Sequence, residues 1–190
     1  MMTEDDFSKL AVNFFQKRLA ADGLDATVEV LAKQQILRDV TVGRDPKSRR
    51  WTIYAGLQQQ DIVFAPRNNQ DGLPVWRELP QMAYHWLKRG QRYLVIPLVV
   101  CELKMPRSMN THQFITYGRI AEQIKAVHPF CQYYFLLYSS VERHLMPETV
   151  LRQGKGFDRI FLDWESEKEA VWEAIRNHLD YLRDRLGLSR

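Results

Sequence analysis

The stretch RYLVIPLVVCELKMPRSMN, Arg92 to Asn110, is an almost unbroken apolar run that ends in Glu102-Leu103-Lys104. Composition of this kind marks a buried strand, predicted from about Leu98 to Met105. Pro97 has no backbone donor and suits the strand's start better than its middle. Side chains alternate along a strand, so Glu102 and Lys104 share one face with Val100, while Cys101 and Leu103 share the other. Two opposite charges at the end of a buried element are either a charged pair reaching solvent or the working edge of a site.

Outward from that strand, the N-terminal segment places Phe7, Leu10, Ala11, Phe14, Phe15 and Leu19 at helical spacing. Thr3 or Asp5 is available as its cap, and Gly23 lies just past its end. From Thr27 to Ala65 the pattern changes to β-branched and aromatic runs (ATVEVL, RDVTV, WTIYA, DIVFA) separated by turn formers such as GRDPKSRR. The part EVLAKQQIL also reads as helix, leaving Val28 to Leu37 open between the two states. A polar loop and a short helix near Gln81 to Arg89, opened by Pro80 and closed by Gly90, look like an insertion spanning 66–92.

After the central strand, Phe114, Tyr117, Ala121, Ile124 and Val127 mark an amphipathic helix that must end before Pro129. CQYYFLLYS reads as a buried strand, RQGKGFDR as a Gly-rich basic loop and RIFLDW as a short strand. A final helix runs through Val171, Ile175, Leu179, Leu182 and Leu186, with a capping box at Ser166-x-x-Glu169 and a stop at Gly187. The order predicts an α/β protein, a central mixed sheet flanked by helices. The 190 residues, 45% hydrophobic, are enough for one packed domain.

The charged fraction is 26% with a net charge of +4, a basic lean that permits a nucleic-acid partner without requiring one. Cys101 and Cys131 each sit in apolar runs away from Cys or His at ligand spacing, which argues against a disulfide framework or structural zinc. MMTEDDF opens acidic rather than with a basic region followed by an apolar stretch, and the apolar run from Tyr93 to Cys101 is too short to span a bilayer. The expectation is a cytoplasmic protein with no membrane partner.

A second acid, Asp61, stands where LQQQ turns into DIVFA. If its strand neighbours the central one, Asp61, Glu102 and Lys104 meet. Two close carboxylates repel and lose hydration unless a cation lies between them, and oxygen ligands suit Mg²⁺ or Mn²⁺. A metal ion held there lowers the pKa of a bound water and offsets charge developing on a phosphate oxygen. Such chemistry hydrolyses phosphodiesters.

Asp61 followed by Glu102-x-Lys104 at the end of an apolar strand, with a helix after it, resembles the PD-(D/E)XK nuclease superfamily, the restriction-endonuclease-like fold. The resemblance covers roughly Leu57 to Ser140. It implies a Mg²⁺-dependent DNA endonuclease, with Mn²⁺ able to substitute, in which Asp61 and Glu102 hold the metal and Lys104 assists the attacking water. Gln60 stands where the motif's proline would be. The family often adds an acid from its first helix, for which Glu4 and Asp5 are the best placed; Glu29 is another candidate. QFITY matches the Q-x-x-x-Y pattern of RecB-like and Cas4-like branches, implying supporting roles for Gln113 and Tyr117, which i, i+4 spacing puts on one helix face. This favours a single-strand or end-processing nuclease as the alternative, beside a non-catalytic nucleic-acid-binding module on the same fold.

Each feature has a plainer account. Tyr117 can pack on the sheet with Gln113 solvated, and His112 is more simply a satisfied or exposed histidine. The other four, His85, His128, His144 and His178, show no ligand spacing. Candidate DNA contacts are Arg44, Lys47, Arg49, Arg50, Arg107 and Lys155, although clustered Lys and Arg are more often solvated surface. Trp51 and Trp76 near such loops can stack on bases or anchor the core. A small enzyme cutting both strands of a duplex is expected to work as a symmetric homodimer.

Overall fold

The computed structural model describes residues 2–44, 47, 49–67, 95–106, 110–138 and 152–186. Its elements run α1 (Glu4–Ala21), β1 (Val28–Arg44), β2 (Trp51–Pro66), β3 (Val99–Lys104), α2 (Thr111–Val127), β4 (Gln132–Leu137), a 3-10 turn at Gly154–Gly156, β5 (Arg159–Phe161) and α3 (Trp164–Leu186). The strands form one sheet in the order β1-β2-β3-β4-β5. β1 and β2, and β2 and β3, pair antiparallel; β3 with β4 and β4 with β5 are parallel. A mixed sheet flanked by helices is thus the architecture. The predicted insertion past Arg67, including the helix near 81–89, lies outside the described residues, as do Gly187, Trp76, His85 and His144.

The sheet is covered on both sides, which is why β3 and β4 carry so few polar residues. On one side Phe7, Ala11, Phe15 and Leu19 of α1 and Val171, Ile175, Leu179 and Leu182 of α3 pack on Ile62, Phe64, Val99, Cys101, Leu103, Tyr134 and Leu136. Opposite them, Phe114, Ala121 and Ile124 of α2 and Phe157 cover Val63, Val100, Tyr133, Phe135 and Leu137. Fully buried side chains of this size contribute about 1.5–3 kcal/mol each, so β3, central and covered on both faces, is firmly held. Both cysteines are buried and free. Among the described residues no helix is long and apolar enough to cross a membrane.

Two expectations are corrected. The four short runs between Thr27 and Ala65 are two long strands, paired from Val28↔Pro66 to Arg44↔Trp51 with a register shift between Leu37 and Asp39. EVLAKQQIL is therefore strand: pairing along the whole of β2 outweighs the helix preference of Leu, Ala, Lys and Gln. The last helix begins at Trp164 rather than at a box on Ser166; the Asp163 N–H donates to the Glu167 carboxylate at 2.8 Å. Elsewhere, Thr3 caps α1 in a capping box with Asp6, and Asn110 caps α2 reciprocally with Gln113.

The Gly-rich loop has a packing role. A Cβ on Gly156 would lie 2.0 Å from the Gly118 carbonyl oxygen, so this glycine lets the 3-10 turn sit directly on the α2 backbone. Its φ is not in the left-handed region, which makes the requirement steric. Gly156→Ala is expected to destabilise the protein by about 2 to 3 kcal/mol by forcing turn and helix apart, measured as a lowered urea midpoint at unchanged slope.

Candidate active site

The end of β3 meets β2 where their ladder stops. Pairing runs Phe64↔Val99, Val63↔Val100, Ile62↔Cys101 and goes no further. The next free backbone donor, Leu103 N–H, is taken by Asp61 Oδ2 at 2.9 Å, a carboxylate standing in for a strand carbonyl. This bond fixes Asp61 beside Glu102 and Lys104. The Lys104 ammonium then lies 2.8 Å from Glu102 Oε1, 3.6 Å from Asp61 Oδ2 and 3.1 Å from Glu4 Oε1 of α1. The neighbouring strands do bring the three sequence-predicted residues into one cluster.

The cluster is nearly dry. Glu102 is 5% exposed and Lys104 6%, so neither charge survives there without its partners. Burial, and then the Asp61 carboxylate, push the Glu102 carboxyl up to about 7 against the pull of Lys104 and Tyr133. Burial opposes the Lys104 charge too, but Glu102 and Asp61 outweigh it and hold the ammonium above its ordinary range.

Several members were not visible in the sequence. Lys33 of β1 places its ammonium 3.0 Å from Asp61 Oδ1 and 3.7 Å from Asp5. Gln60, at the position of the absent proline, is 1% exposed and accepts a hydrogen bond from the Tyr133 hydroxyl, which also lies 3.2 Å from Glu102 Oε2. Nothing in QYYFLL singles out Tyr133. Its role depends on the parallel register that sets Val100 against it and so brings its ring alongside Glu102.

Of the supporting candidates, Tyr117 presents its ring to the Lys104 ammonium at 4.6 Å from the centroid. Gln113 is engaged otherwise, its side-chain oxygen accepting the Asn110 N–H at 3.1 Å in the α2 cap. Glu4 and Asp5 both reach the cluster. Glu29 does not belong to it, being paired with Ala65, further along β2 from Asp61. Arg44, Lys47, Arg49 and Arg50 gather at the β1–β2 hairpin end, where Arg44 Nε donates to the Arg49 carbonyl at 2.8 Å. Lys155 is exposed on the 3-10 turn, and Arg107 lies outside the described residues. His112 begins the second turn's support through its carbonyl, which accepts from Thr116.

Among the described residues no group of three or more His, Cys, Asp and Glu is placed to hold a metal ion. The donors nearest that requirement are the carboxylates of Asp61 and Glu102. Among the described residues, the carboxyl groups of Asp61, Glu102, Glu4 and Asp5 stand around two ammonium groups, Lys33 and Lys104. Hard carboxylate oxygen donors suit a divalent cation of the magnesium type.

No protein-family model matches the chain, and no curated protein matches it. Among solved structures, a chain of the native BbvCI A2B2 tetramer, determined at low resolution, is similar with a TM-score of 0.39 and 10% identity. That similarity covers 67% of this chain and 43% of the other, so this chain spans less than half the length of its neighbour.

The electrostatics give a measurable signature. Since the Glu102 carboxyl is raised from 4.5 to about 7, the folded state binds its proton more tightly than the unfolded chain. Stability contributed this way is present below pH 4.5 and is lost as pH rises through about 7. Relative to the wild type, Glu102→Gln should lose less stability between those limits, followed by urea unfolding at matched ionic strength. A difference between the two proteins that does not change with pH would show that Glu102 ionises as an ordinary carboxylate.

Proposed function

We propose that the chain is a Mg²⁺-dependent DNA endonuclease of the PD-(D/E)XK, restriction-endonuclease-like kind. The observation that carries this reading is the convergence of Asp61 and Glu102 on one buried ammonium at the end of β3. Asp61 and Glu102 would hold the divalent ion, with Mn²⁺ able to replace Mg²⁺. When bound, such an ion supplies a water of lowered pKa and offsets charge on the phosphate. The chain's own contribution is positioning. Leu103 N–H fixes the Asp61 carboxylate, Tyr133 fixes Glu102, and the Tyr117 ring with Glu4 holds the Lys104 ammonium where it can orient the attacking water.

Plasmid incubated with Mg²⁺ should be nicked or linearised, and EDTA should abolish the reaction. Lys104→Ala and Glu102→Ala are each expected to lower the rate by about 10² to 10⁴-fold. Folding of both variants is checked by circular dichroism. Nicked, linear and single-stranded substrates, run in parallel, separate an endonuclease from an end-processing enzyme. No metal-dependent cleavage of any DNA form would sink the reading.

A non-catalytic nucleic-acid-binding module is the competing account, favoured by the lack of a three-donor metal group among the described residues. Both accounts place DNA on the β1–β2 hairpin. Its far end carries Arg44, Lys47, Arg49 and Arg50 with Trp51 76% exposed, and a two-stranded ribbon is of a size to enter the major groove. On duplex DNA one active site serves one strand, so two copies related by a dyad would cut both. Replacing Lys47 and Arg49 by Ala should lower the slope of log affinity against log salt by about two, read by fluorescence anisotropy. An unchanged slope would remove the hairpin from the interface.

A further inference from the structure

We infer that Lys33 is a resident counterion, an ammonium that occupies Asp61 Oδ1 and must be displaced when a divalent cation binds. The inference rests on the metal-site reading above. It starts from the backbone. Lys33 has φ 51°, the left-handed region that a side chain with a Cβ seldom adopts, in the middle of a strand. It lies between the pairs Ala32↔Ile62 and Gln34↔Gln60, directly across from Asp61.

This conformation reverses the alternation of β1. Val28 and Val30 face the core under α1 and α3, whereas Ile36, an even number of positions further on, belongs to the core under α2. The same reversal carries Gln60 to Tyr133. A glycine would make this turn without steric conflict, yet the chain has a lysine, and its ammonium is 3.0 Å from Asp61 Oδ1. That oxygen is the one not taken by Leu103 N–H, and it is therefore the one available to a metal.

Among the described residues two ammonium groups lie against Asp61, and their exposure decides which can leave. The Lys104 side chain is 8% exposed and is held by Glu102 and Glu4. The Lys33 side chain is 40% exposed, and Asp5, itself 77% exposed, offers it a second partner at 3.7 Å. Lys33 can swing toward solvent without burying or orphaning a charge; Lys104 cannot. A divalent ion approaching Asp61 must therefore work against the Lys33 charge until that side chain moves.

Calorimetric titration of the 190-residue chain, stripped of metal with EDTA and dialysed, with Mn²⁺ and separately with Mg²⁺ tests this. Lys33→Gly accommodates the left-handed backbone and removes the ammonium, so it is expected to bind metal about tenfold more tightly than the wild type. Lys33→Arg, which keeps the charge, should bind no more tightly than the wild type. Lys33→Asn, also tolerant of the left-handed region, replaces the glycine variant if that one does not fold. A purely structural lysine would leave metal affinity unchanged or weaken it, and either result with a wild type that binds metal overturns the inference alone. If no variant binds more metal than Asp61→Asn, the metal site itself is disproved and the inference falls with it.

Discussion

The Lys104 ammonium, closed in between Glu102, Asp61 and Glu4 at the end of β3, is the constraint around which the described structure is arranged. A charge this deeply buried is stable only while its partners are held, because removing one leaves another unpaired in a dry environment. Holding them takes three elements. β2 supplies Asp61, whose carboxylate is tied to the β3 backbone; α1 supplies Glu4 from a first turn fixed by the Thr3–Asp6 capping box; and α2 lays the Tyr117 ring over the ammonium. The apolar packing on both faces of β3 makes its end a rigid mount. Catalytic geometry of the kind proposed needs that rigidity, since small displacements of positioning groups are costly.

The break in the β2–β3 ladder and the left-handed Lys33 lie side by side on the same hairpin. Where the ladder stops, a backbone donor becomes available and Asp61 uses it; where β1 turns over, a lysine enters beside the same carboxylate. The hairpin beyond this point changes faces, bringing Ile36 under α2 and letting the His128 ring nitrogen donate to the Leu37 carbonyl at 2.9 Å. A single irregularity thus serves both the site and the exposed basic ribbon. Departures from regular pairing commonly mark such places, because regular strands cannot turn a side chain toward a site in their own plane.

Much of this was legible in the sequence. The apolar run ending at Lys104 has no reading other than a covered strand, and its period of two placed Glu102 and Lys104 on one face. Helical spacing located α1, α2 and α3 because each buries one stripe on the sheet. The early strands were harder. EVLAKQQIL carries residues suited to a helix, and only the length of its partner β2 settles the matter, a contact between positions far apart in the chain.

The sequence by itself determined the covered strand, the flanking helices and the two charged residues at the strand's end, since these follow from local periodicity and residue type. Tertiary structure alone decided which side chains stand around them. Tyr133 was one aromatic among several until parallel pairing aligned it with Val100, and Gln60 was a missing proline until its amide met that hydroxyl. Lys33 was a polar residue in a segment open between helix and strand until one backbone angle turned it toward Asp61. Register and backbone conformation are set by the packing of the whole sheet, so no short window of sequence contains them.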